Sequence, residues 1–169
     1  HNIIPDGKVA EELLSAQVKC KPANTKSAEN LLFEVIELLE RHFNEVYGIN
    51  LFTSEMNFSD YSKKILRFNS QNLDSLLRLA KDLVRFFSDR LNIKELRKLS
   101  THTDKEKLGS NKLLQNILSQ KVNDERAKEL MGVIFGVYDM RLGDAHPAGS
   151  QIEDALNVAK IDTSLSFLK

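Results

Sequence analysis

Apolar residues return every three or four positions along most of this chain, and no stretch shows the alternation that a half-buried strand requires. The clearest stripe is Leu31, Val35, Leu38, Leu39 and Phe43. Thr25 or Ser27 can cap that helix and Gly48 stops it. A second long helix is predicted over 72–91, with Leu73, Leu76, Leu77, Ala80, Leu83, Val84 and Phe87 on one side. Its other side carries Arg78, Lys81, Arg85 and Asp89, and residues 93–99 add a further turn or two. Shorter helices are expected over 8–19, 59–68 and 111–120, with a polar loop at 101–110. Asn123 caps an apolar helix running to Tyr138, and Ser150 caps the last helix, each with acids in the first turn. The pattern predicts one all-α bundle domain over 1–169, with at least four main helices plus short ones and no sheet.

Composition narrows the class. At 169 residues, 41% of them hydrophobic and 28% charged, the chain can bury a core without staples. Apolar runs such as Val133-Ile134-Phe135 are too short to cross a bilayer. Ile3-Ile4 is followed at once by Pro5-Asp6-Gly7-Lys8, which does not read as a signal peptide. One cysteine, Cys20, permits no internal disulfide and points to a reducing, cytoplasmic setting. The first residue is His1 rather than Met, so the chain is compatible with a fragment of a longer protein.

A net charge of zero hides an uneven distribution. Residues 1–60 hold 5 basic and 10 acidic side chains, a balance of −5; residues 61–130 hold 16 and 9, or +7; residues 131–169 hold 3 and 5, or −2. A basic middle suits a polyanion, and it equally suits a solvated helix face.

The usual enzyme constellations are missing: the sequence has no Gly-rich phosphate loop, no HExxH and no cysteine–histidine metal spacing. No metal or cofactor is expected. What stands out is YDMRLGDAHPAGS at 138–150, where an apolar helix meets Arg141, Gly143, Asp144, His146 and Pro147. On an unbroken helix Arg141 and His146 would lie about 140° apart, so a break after Gly143 is needed to bring them together. A second Arg–His pair of equal spacing, Arg97 and His102, lies in the polar loop region and is expected to point separately into solvent.

The stretch MRLGDAHPAGS resembles the signature of HEPN domains, helical bundles whose active members carry an Arg, four to six residues and a His. Its Gly-Asp-Ala-His portion is most similar to the versions in abortive-infection and other bacterial defence proteins. The specific likeness covers about fifteen residues. It departs at Leu142, where the family often has a polar residue after the Arg. The resemblance implies a metal-independent endoribonuclease, acting as a homodimer with two Arg–His pairs facing each other, in an antiviral defence or toxin system with a sensor domain or antitoxin as partner. The alternative it allows is a non-catalytic HEPN-like module for dimerisation or RNA binding.

The residue types suit that chemistry. An imidazole titrates near neutrality, so His146 can act as base or acid, and the guanidinium of Arg141 matches phosphate bidentately. Asp144 can orient either of them and Tyr138, one turn before Arg141, can join the site. Each residue has a plainer reading as well. Asp144 can cap the turn, Tyr138 can be core, Arg141 suits a helix C-terminus and His146 a turn before proline. Lys81 and Arg85 are the expected RNA contacts, because phosphate contacts supply most non-specific affinity.

Overall fold

The computed structural model describes residues 18–20, 26–53, 61–66, 69–143 and 149–162. Helix α1, Ala28–Tyr47, starts where the Ser27 hydroxyl accepts the Asn30 N–H (3.2 Å) and ends at Gly48, whose φ of 65° lies in the left-handed region. The cap is therefore Ser27, while Thr25 lies outside the described residues. Helix α2, Leu73–Phe86, opens with a reciprocal capping box between Asn72 and Ser75.

The second helix is shorter than its apolar pattern predicts. After Phe86 the backbone tightens into a 3₁₀ turn, Ser88–Arg90, and then restarts as α3, Ile93–Leu99, capped by Asn92. The cause is tertiary. The segment after α1 comes alongside, so that Phe52 and Leu91 form an isolated antiparallel bridge. Asn92 N–H donates to Leu51 O at 2.7 Å, and Thr53 N–H donates to Arg90 O at 2.9 Å. Leu51, Phe52 and Leu91 are all buried there, and a continuous helix would have to give up that burial.

The remaining helices are α4, Ser110–Ser119; α5, Asp124–Gly143; and α6, Gly149–Val158. The loop expected at 101–110 holds one 3₁₀ turn, Lys105–Lys107. Helix α5 runs five residues past Tyr138, to Gly143, and Ser150 stands inside α6 rather than before it. Of the helix expected at 59–68, Tyr61 and Ser62 are helical, residues 63–66 turn away, and the rest lies outside the described residues. The helix expected over 8–19 also lies outside them, apart from a turn at Val18 and Lys19. Among the described residues the chain is all-helical, with that single bridge and no strand. None of their helices is long and apolar enough to cross a membrane.

Helix α5 is the centre of the bundle, with α2, α4 and α6 packed against it. One core cluster joins Ile36 and Phe43 of α1 to Phe86, Leu96, Leu113, Ile117 and Met131. A second joins Leu77 and Ala80 of α2 to Met140 and to Ile152, Ala155 and Leu156 of α6. The α5–α6 hairpin closes tightly at Gly136: a Cβ there would lie 2.7 Å from Ala159 Cα and 2.8 Å from its Cβ. Only hydrogen fits at that position.

Candidate functional site

Arg141 lies in the last turn of α5, where its charge complements the helix dipole. Its Nη1 donates to both carboxylate oxygens of Asp89, at 2.8 and 3.1 Å, and its Cζ is 5.7 Å from the centroid of the Tyr138 ring one turn back. Nη2 and Nε have no hydrogen-bond partner among the described residues. One nitrogen is thus anchored on Asp89, and the side chain is 35% exposed.

The 3₁₀ turn explains how Asp89 reaches this place. Phe86, Ser88 and Arg90 are buried on either side of it, and Arg90 lies over the Phe52 ring at 5.4 Å. The Ser110 hydroxyl further pins the turn by donating to Ser88 O at 3.1 Å. Asp89 is the residue left outside, facing the end of α5. This corrects the placement of Asp89 on the polar side of a continuous α2. Sequence carries no signal for the pairing, which spans 52 residues.

Tyr138 is half-buried beside the guanidinium, so it is neither core nor fully exposed. His146 and Asp144 lie outside the described residues. Arg85 is exposed on α2, one turn before Asp89, with Asp82 at 3.6 Å; Lys81 is half-buried on the same helix.

The second Arg–His pair departs from expectation. Arg97 does not point into solvent: its Nη2 donates to Glu106 O at 2.9 Å and its Nη1 lies 3.4 Å from the Glu106 carboxylate. It staples the polar loop after α3. His102 is exposed, and its Nδ1 accepts the Asp104 N–H at 3.1 Å. The two side chains have separate partners and form no joint site.

Two hollows among the described residues bear on the site. One of about 390 Å³ lies among α1, α2 and α5 and is lined by apolar side chains such as Val35, Leu83, Phe87 and Val137, with Ser88 the one polar residue. It offers nothing to hold a phosphate. The other, about 230 Å³, is polar and lies between the 101–108 loop, α4 and the start of α5. No group of three or more His, Cys, Asp or Glu residues that could hold a metal occurs among the described residues. Comparison with protein-family models, with curated proteins and with solved structures finds no significant match to this chain.

Proposed function

We propose that this chain is a HEPN-type, metal-independent endoribonuclease, active as a cytoplasmic homodimer in a bacterial defence or toxin–antitoxin system. The observation that carries the reading is the state of Arg141: a guanidinium fixed at the end of the central helix by Asp89, partly exposed, one residue before the Gly-Asp-Ala-His-Pro sequence. In the reaction His146 takes the proton of an RNA 2′-hydroxyl, the 2′-oxygen bonds to the adjacent phosphorus, and the bond to the 5′-oxygen breaks. The leaving oxygen receives a proton from the second imidazole of the dimer. Arg141 holds the non-bridging oxygens as charge develops on them. The products are a 2′,3′-cyclic phosphate and a 5′-hydroxyl.

The test is cleavage of single-stranded RNA in excess EDTA. Cleavage should persist and should be abolished by Arg141→Ala or by His146→Ala with folding intact. Arg97→Ala should leave the rate unchanged, since Arg97 is bound to Glu106 away from this site. Loss of cleavage on chelation, restored by magnesium, would sink the mechanism. A folded, RNA-binding dimer that cuts nothing would instead identify the non-catalytic module, with Leu142 in the polar position of active members.

A further inference from the structure

Helix α4 is amphipathic, and its polar side borders an open hollow. Leu113, Leu114 and Ile117 are buried on one side. Lys112, Gln115, Asn116 and Ser119, at the i, i+3, i+4, i+7 spacing of a single helical face, line the hollow of about 230 Å³ instead. Asp124 and Lys128, one turn apart at the start of α5, form the opposite wall, and His102 closes one end.

The lining groups mostly present donors, with Asn116 fixed by its neighbours and Lys112, Asp124, Lys128 and His102 exposed at the rim. Lys112 Nζ sits 4.4 Å from the centroid of the Phe135 ring and contacts Gln115 Oε1 only loosely, at 3.4 Å. The orientation of the Asn116 amide is set by its neighbours: its Oδ1 accepts the Thr101 N–H (3.1 Å) and the Ser100 hydroxyl (2.7 Å). Its NH₂ therefore has no partner among the described residues. Lys128 has none there either. Because His102 Nδ1 accepts the Asp104 N–H, the neutral ring carries its proton on Nε2 and donates. Asp124 is the one carboxylate in the lining. Two ammonium groups, an amide NH₂ and an imidazole N–H around a single hollow select an anion, and the carboxylate selects a hydroxyl beside it.

We propose that this hollow binds a phosphoryl group carried on a hydroxylated moiety, that is, a nucleotide. The nucleotide is either free or part of a strand. The volume is below that of sites enclosing drug-sized ligands and suits a phosphoryl group with part of its carrier. The site is separate from Arg141: Lys128 and Arg141 stand thirteen positions apart on α5, roughly 20 Å of helix. It does not depend on the nuclease reading.

The experiment titrates the chain, at fixed ionic strength, with inorganic phosphate, AMP and a single-stranded hexaribonucleotide, and follows backbone amide shifts by NMR. Shifts should gather at His102, Asn116, Ser119 and Asp124, with AMP or the hexamer binding more tightly than phosphate. The Lys112→Gln/Lys128→Gln double variant should weaken binding at these amides by roughly tenfold or more, whereas Arg141→Ala should leave the phosphate- and AMP-induced shifts there unchanged. Saturation by AMP identifies a free nucleotide as the ligand, and binding of the hexamer alone identifies a strand. The proposal is overturned if none of the three binds, if the shifts fall elsewhere, or if the double variant binds as the parent does. Should the double variant fail to fold, Lys128→Gln alone, on an exposed side chain, serves the same comparison.

Discussion

Asp89 and Arg141 show how little a single residue's character reveals about its role. An exposed ion pair of this kind adds at most about 1 kcal/mol to stability, so its consequence is orientation: it leaves Arg141 with a defined direction. Asp89→Asn preserves shape and removes the charge. On the nuclease reading, kcat should fall roughly tenfold with KM nearly unchanged, because a loosened guanidinium costs alignment rather than ground-state binding. In an Arg141→Lys background the same change should cost less, and a double-mutant cycle of cleavage rates measures the coupling. Fully multiplicative losses would show that Asp89 acts through something other than Arg141. That Tyr138 and Arg141 stand a turn apart on one helix follows from period alone. It could not pair Arg141 with an acid 52 positions away.

Among the elements, α5 has two interior glycines, Gly132 and Gly136, with opposite meanings. Gly132 has nothing within 4 Å of where a Cβ would stand, whereas at Gly136 a Cβ would run into the backbone of Ala159. Gly132→Ala should therefore raise stability by up to about 1 kcal/mol through helix propensity. Gly136→Ala should lower it by about 1–3 kcal/mol or more, because α6 must move away. Urea unfolding of both variants checks the pair, and equal effects would contradict the close α5–α6 packing. The same limit explains the α2 boundary. The apolar repeat of 72–91 is real in part: Leu77, Ala80 and Val84 are buried as it requires, whereas Leu73 is exposed and Phe86, outside the predicted stripe, is buried in place of Phe87. Whether the repeat stays one helix depended on the bridge between Phe52 and Leu91, which local sequence does not encode.

For the whole molecule, the division into two core clusters matters most. The second cluster, Leu77, Ala80, Met140, Ile152, Ala155 and Leu156 with their neighbours, holds α6 and the end of α5 that carries Arg141. The first, built around Phe86 and Leu96, secures α1, α3 and α4. Leu156→Ala should cost about 2–5 kcal/mol. In hydrogen exchange, amides of α6 and the last turns of α5 should open before those of α4. Uniform loss of protection would mean that the clusters unfold as one. On the nuclease reading, cleavage should weaken along with that opening, since Met140 is the neighbour of Arg141 in the chain and is buried in the affected cluster.

Hydrophobic period, capping residues and the scarcity of glycine were enough to determine an all-helical chain and most helix starts, because those depend on interactions within a few residues. Ser27, Asn72 and Gly48 act locally and were readable as caps, stops or boundaries. The basic middle segment was readable as a charge balance, but its lysines divide between a solvated face and a built hollow around Lys112 and Lys128. That division depends on how α4 and α5 cross. The acid that holds Arg141, the glycine that admits Ala159 and the partner that staples Arg97 were likewise decided only by tertiary contact. Each is a meeting of groups distant in sequence or a fit of a few tenths of an ångström, and neither leaves a periodic trace in the chain.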